Sequence, residues 1–275
     1  MKNKILILFL FLNTFLCFSQ NPWLQAKGEY LLSPSLTHYY TDSKKDENSI
    51  KSDFDNNGYY KNYVYKLYFS TSLIGNKLNL IGNIPYIKST YADDFTNNVN
   101  NELGDVELGV KMHLKKLGEF HYLIGSLTAI TPLYSNNNQP FVGFGKFGTE
   151  IKINISGKSK WMGINNNYHQ LELGFRKFFN EGPIQIKLYG SKAYRITKKI
   201  IVLTDLDVLI SKGEDFNVSQ ENIQITPDFD FVKATVNFGY EFSPKFALYA
   251  GGFKDLLNRN VSVGSGWQIF SVIKL

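Results

Sequence analysis

The chain has 275 residues, a formal charge of +6, and 43% hydrophobic against 20% charged side chains. So mild a charge, spread along the whole chain, excludes a nucleic-acid-binding domain built on a basic face. Its single cysteine excludes an internal disulfide framework and a cysteine-based metal centre.

The first stretch, "MKNKILILFLFLNTFLCFSQ", reads as a signal peptide. Lys2 and Lys4 form a basic start, and the apolar run Ile5–Phe18 is shorter than the roughly 20 residues a spanning helix needs. Small Ser19 suits the position before a cleavage site, whereas bulky Leu16 does not suit lipid attachment at Cys17. The expected organisation is a signal peptide at 1–19, read by the Sec pathway, and one β domain at 20–275. Cleavage takes Cys17, Lys2 and Lys4 away and leaves a formal charge of +4. Beyond it no run is long and apolar enough for a transmembrane helix. A closed β-barrel is the other structure that satisfies its backbone in lipid.

Period-two alternation predicts twelve strands, near residues 27–41, 58–74, 77–91, 103–115, 120–133, 147–157, 161–178, 184–195, 199–211, 231–243, 246–256 and 262–275. In the second, Tyr63, Tyr65, Leu67 and Phe69 alternate with Lys66, Ser70 and Ser72 on the other face. The fourth sets Val106, Leu108, Val110, Met112 and Leu114 against Asp105, Glu107, Lys111 and His113. Later strands repeat this: Ile151, Ile153 and Ile155 against Glu150 and Lys152; Leu171, Leu173 and Phe175 against Glu172 and Arg176. The final strand carries Trp267, Ile269, Ile273 and Leu275 on one face.

The connections alternate in length. Short ones fall at Gly75–Asn76, 116–119, "GKSK" at 157–160, 197–199 and 243–245. Long polar ones fall between them: "DSKKDENSIKSDFDNNG", "DDFTNNVNNE", "YSNNNQPFVGFGK" and "KGEDFNVSQENIQITPDFD", with only "NEGP" at 180–183 short on that side. Even strand number, short turns at one end and long loops at the other describe an outer-membrane up-and-down barrel. Aromatics at 15%, with 17 Tyr and 22 Phe, supply side chains for the membrane boundaries. Tyr39, Tyr40, Tyr59 and Tyr60 fall near one rim, Trp23 and Trp161 near the other.

On this reading the apolar parity faces lipid and the charged parity a wet lumen. The lumen-lining candidates are Asp105, Glu107, Lys111, His113, Glu150, Lys152, Glu172, Arg176, Lys187, Asp205, Asp207, Lys233 and Glu241. Asp105, Glu107, Lys111, Glu150, Lys152, Glu172 and Arg176 are the ones expected to tune selectivity. A secreted β-sandwich is the alternative, but a core-forming strand does not place charges on one face so consistently. Roughly seven residues separate the cleavage site from the first strand, so no plug domain is expected. Any gate is then expected in the loops, such as 42–57 or 212–230.

Several segments, in order, resemble the MetA-pathway phenol-degradation family of outer-membrane proteins. Trp23 with Lys27-Gly28 matches its early "W…KG", and Pro85-Tyr86 its strand ending in "P-Y". "LGDVELGVKMHL" is similar to its "GLGDLELGLKY" strand through Leu103, Gly104, Asp105, Glu107, Leu108, Gly109 and Lys111, with Glu102 where the family has Gly. "ITPLYSNNNQPFVGFGKF" resembles its "P…G…LGTG" segment. The resemblance implies a membrane channel, grouped with hydrophobic-compound uptake. "SQNPW" after the signal and the Asn-, Lys-, Phe- and Tyr-rich composition resemble exported proteins of the Bacteroidetes type.

Other motifs carry less. "GFGKFG" at 143–148 fits a dinucleotide pattern, but a strand follows it where that motif needs a helix. His38, His113, His121 and His169 lack metal-ligand spacing, although His113 and His121 straddle a turn and could meet across strands. A Ser126–His113 pair of the barrel-lipase kind is disfavoured because the two take opposite parities. The expected function is an outer-membrane channel for a small solute, hydrophobic ones included, without catalytic, cofactor or metal residues. Its partners would be outer-membrane lipid and that solute, with no nucleic acid; oligomeric state is left open. The alternatives are a non-conducting barrel acting as binder or scaffold, and a barrel lipid hydrolase.

Overall fold

Alternating segments rich in β-branched and aromatic residues form strands, and these strands pair edge to edge until the sheet meets itself. The computed structural model describes residues 24–161, 164–213 and 226–275, and in them the chain is a closed antiparallel barrel of twelve strands. In chain order the elements are β1 (Tyr30–Thr41), β2 (Ser43–Lys45), β3 (Lys51–Asp53), β4 (Tyr59–Ile74), β5 (Leu78–Ala92), β6 (Asn97–Leu103), β7 (Asp105–Lys116) and β8 (His121–Pro132). They continue with β9 (Gly148–Trp161), β10 (Ile164–Phe178), β11 (Ile184–Arg195), β12 (Ile200–Lys212), β13 (Phe229–Ser243), β14 (Phe246–Arg259), β15 (Val261–Ser262) and β16 (Ser265–Lys274).

Each wall strand pairs with its sequence neighbours, and β16 closes the ring against β1, from Leu31 opposite Lys274 to Tyr40 opposite Ser265. Tyr30 and Leu275 exchange both backbone hydrogen bonds, at 3.1 and 2.9 Å, so the seam is sealed to its end. Strands β6 and β7 flank Gly104 and pair with the outer and inner halves of β5. The small sheet β15-β2-β3 stands at the loop end, the rim; the end carrying Leu24 and Leu275 is the base.

The faces are inside out relative to a protein that folds around an apolar core. Outward residues such as Leu108, Ile151, Leu173 and Phe238 are 51%, 55%, 56% and 64% exposed. Inward Asn79, Ser191, Asn237 and Glu150 are buried. Leaving one large apolar side chain in water forgoes about 1.5–3 kcal/mol, so an outer wall coated with them calls for an apolar solvent.

Two sequence expectations change. The turn expected at 157–160 is strand: β9 runs on through Trp161, because Lys158 pairs with Tyr168 and Gly157 with His169. The connection lies at 162–163, outside the described residues. The "DDFTNNVNNE" loop is largely a hairpin, with β6 laid along β5 from Asn97 opposite Ala92 to Leu103 opposite Tyr86. Its asparagines read as loop by composition, yet Asn97, Val99, Asn101 and Leu103 alternate as a strand does. The segment ahead of β1 also contributes to the base. Leu24 and Gln25, ahead of β1, are buried, and Gln25 Oε1 accepts hydrogen bonds from Ser70 Oγ and Asn79 Nδ2, each at 2.6 Å. Most of the 212–230 loop, the side chain of Trp161, and Trp23 lie outside the described residues.

Candidate functional site

Alternation on twelve strands aims one residue in two at the barrel axis, and among the described residues the space they leave includes three adjoining chambers. The upper one, about 290 Å³, lies beneath the rim and is lined by Tyr39, Phe229, Phe231, Phe253 and Asp255. It shares Thr37, Phe231 and Lys233 with a central chamber of about 390 Å³. The central chamber shares Ser33, Tyr68, Lys152, Gln170 and Glu172 with a lower one of about 110 Å³, which reaches Gln25.

The central chamber holds most of the charge. Arg176 on β10 contacts Glu107 on β7 at 2.5 Å and Glu150 on β9 at 3.0 Å. Glu150, only 1% exposed, also meets Lys187 at 3.1 Å and Lys152 at 3.9 Å. Lys152 turns to Glu172 at 3.3 Å. Gly174 makes this convergence possible: a Cβ there would stand 3.3 Å from both Glu150 Oε1 and Lys152 Cγ. On the facing wall, Lys233 approaches Asp207 at 3.6 Å. Asp205 accepts from Tyr189 Oη at 2.8 Å and Asn237 Nδ2 at 3.2 Å. Carboxylates and cations on neighbouring strands thus cross-brace the wall, the charges of this cluster meeting an opposite one or a hydrogen-bond donor.

The remaining candidates lie off this cluster. Asp105, near the rim, accepts from Tyr134 Oη at 3.0 Å, and Tyr134 in turn accepts from Gly145 N–H at 2.8 Å. Burial and the Asp105 charge push the Tyr134 phenol well above its ordinary range. Lys111 lines the lower chamber. His113 stacks on Tyr122 at 4.7 Å between ring centres. Glu241 lies at the base, joined to both terminal nitrogens of Arg195 at 2.6 Å.

Two sequence readings are corrected here. Ser126 does not take the parity opposite His113: it pairs with Lys111 and lines the lower chamber. Inward Ile124 and Ile130 hide the true alternation of β8, because apolar residues there pack inside the barrel. His113 is aligned with Ile124, and its buried Nε2 has no hydrogen-bond partner, so no Ser–His pair forms. Nor do His113 and His121 meet. His121 lies against His169, 4.8 Å between ring centres, over Gly157, where a Cβ would strike the His121 ring. Among the described residues no three of His, Cys, Asp and Glu gather as a metal-ligand set.

The base carries packing that alternation alone did not reveal. Ala193, Ile201, Leu203, Ala247 and Tyr249 point inward and pack together with Tyr194, Phe270 and Val272. Tyr249 stacks on Phe270 at 4.7 Å and lies over Gly239, where a Cβ would stand 2.2 Å from the ring. Opposite them, Gln25 is held by Ser70 and Asn79. Lys66, on the polar parity of β4 but not among the lumen candidates, lines the central chamber.

No protein-family model matches the chain, and no curated protein matches it. Solved structures do. The chain is similar to the COG4313 outer membrane channel from Pseudomonas putida F1, with a TM-score of 0.71 at 12% identity over 94% of this chain and 99% of that one. It is also similar to the translocator domain of the autotransporter NalP from Neisseria meningitidis, with a TM-score of 0.52 at 10% identity over 90% and 89%. The NanC porin follows, with a TM-score of 0.51 at 12% identity over 89% of this chain and all (100%) of that one. At these identities the likeness is one of fold.

Proposed function

We propose that this chain is an outer-membrane channel that passes a small polar solute from rim to base. The observation that carries the reading is the line of adjoining chambers, charged inside a barrel coated with apolar side chains. The similarity to the COG4313 channel and the NanC porin supports it. On this reading residues 1–19 are the export signal, 20–275 form the barrel, and outer-membrane lipid is its solvent. The protein moves its solute without chemistry, so it has no catalytic residue and no cofactor. The MetA-pathway resemblance extends the proposal to hydrophobic compounds, but the charged lining supports a polar solute, since an apolar one would strip water from those charges. The lumen candidates, with Lys66, are then the selectivity residues.

A barrel that binds without conducting is the second reading, and the packed base favours it. Planar-bilayer recording of the refolded mature chain separates the two. Discrete current steps, lost after heat-unfolding the sample, support the channel. A heat-modifiable, correctly folded barrel that stays silent across salts and voltages overturns it.

A further inference from the structure

The geometry points to Lys66 as the anchor for the carboxylate of a small hydroxylated organic acid, held in the central chamber; this rests on the channel reading and names its solute class. Nearly every charge around the chamber is already answered by the protein. Arg176 serves Glu107 and Glu150, Lys187 serves Glu150, Lys152 serves Glu172, and Lys233 serves Asp207. Asp205 has its donors in Tyr189 and Asn237.

Lys66 differs. It projects from β4, on the wall facing that cluster, and is open to the chamber. Among the described residues it has no carboxylate within 4.0 Å and no side-chain hydrogen bond. An ammonium carries three donors and no acceptor, so this one is left for a ligand or water to satisfy. Lys111 in the lower chamber is likewise without a carboxylate within 4.0 Å, so an anion leaving Lys66 towards the base meets a second free cation.

The surroundings narrow the anion. Ser33 and Thr37, on the adjacent strand β1, line the same chamber, and their hydroxyls bond to no other described residue. They fit the hydroxyls of a solute whose carboxylate lies on Lys66. Above them, Phe231 and Phe253 line the upper chamber, with Lys233 Nζ 5.8 and 5.5 Å from their ring centres, an apolar lining suited to the C–H groups of a hydroxylated ring. A bare inorganic anion would use the ammonium and the hydroxyls and leave the rings unused.

The test is block of single-channel current by glucuronate and by glucose, which differ in the carboxylate. Glucuronate should block wild type at a concentration about tenfold or more below glucose, and Lys66→Gln should abolish the difference. Lys66→Arg, which keeps the charge, should retain it and guards against a folding artefact, as does heat-modifiability of each variant. Conducting wild type with equal block by both sugars overturns the carboxylate site while leaving the channel intact. Equal sensitivity in wild type and Lys66→Gln overturns Lys66 as the anchor. If the folded barrel never conducts, the channel reading falls, and calorimetric titration with glucuronate decides the site separately. Binding lost in Lys66→Gln then supports it, and no binding overturns it.

Discussion

Arg176 spans two intervening strands, β8 and β9, to reach Glu107 on the far side of them, and touches Glu150 on the way. The arrangement ties β7, β9 and β10 together inside the bore. Arg176→Met leaves Glu107 without a cation within 4.0 Å and weakens the neutralisation of the nearly inaccessible Glu150. Removing one partner of such a buried set costs about 3–5 kcal/mol. The variant should therefore lose its heat-resistant gel form at a distinctly lower temperature. Its reversal potential in a KCl gradient should move towards cation preference. Adding Glu107→Gln should restore part of both.

Gln25 acts as a latch at the base. Its amide oxygen takes both neighbouring donors, and Asn79 Oδ1 is already buried without a partner. Gln25→Ala forfeits about 1–3 kcal/mol of hydrogen bonding. It should raise the mean open-state conductance, or lengthen openings, in bilayer recordings. Unchanged currents would place the constriction in the apolar cluster instead.

That cluster is tested by Tyr249→Ala. Deleting the ring that packs on Phe270 removes contact on one side of the base and costs about 3 kcal/mol or more. Conductance should rise above wild type, and the double variant with Gln25→Ala should exceed either single one. Gly239→Val tests the same contact from the opposite side. Its added carbons collide with the ring, so the barrel should refold in lower yield with no gain in conductance.

At the rim, Asp228 links Lys212, at 2.8 Å, and Arg259, which also holds Asp230 at 2.6 Å. Burial pushes the Asp228 carboxyl up, but the hydrogen bonds from Lys212 and Arg259 outweigh it and hold the group below its ordinary value. A carboxyl whose folded value is depressed contributes stability that is present above its unfolded pKa of about 3.9. That contribution fades as pH falls through the folded value. Amide hydrogen exchange at Asp230 and Arg259 should therefore quicken, relative to other rim amides, below about pH 4. Asp228→Asn should show the quickened exchange at neutral pH and lose the acid response.

The sequence by itself determined the barrel. Its information is local: Val106 to Leu114 against Asp105 to His113 assigns each residue a face, and twelve such segments with alternating loop lengths leave an up-and-down barrel. Lumen charges such as Glu107, Lys152 and Arg176 were legible because each stands in an otherwise regular alternation. The facing of Ser126 is not legible in the sequence, because Ile124 and Ile130 put apolar groups on the inner face of the same strand and invert the signal.

Only the tertiary structure decided which charges meet. Arg176 and Glu107 are 69 positions apart and brought together by the curvature of the wall, a distance that alternation does not encode. The same holds for Gln25, which precedes the first strand and carries no pattern. It becomes part of the base because β1 pairs beside the β4–β5 hairpin that carries Ser70 and Asn79. Lys66 looked like any other inward lysine in the sequence. Among the described residues no carboxylate comes within 4.0 Å of it, and such a vacancy in pairing exists only once the strands are in register.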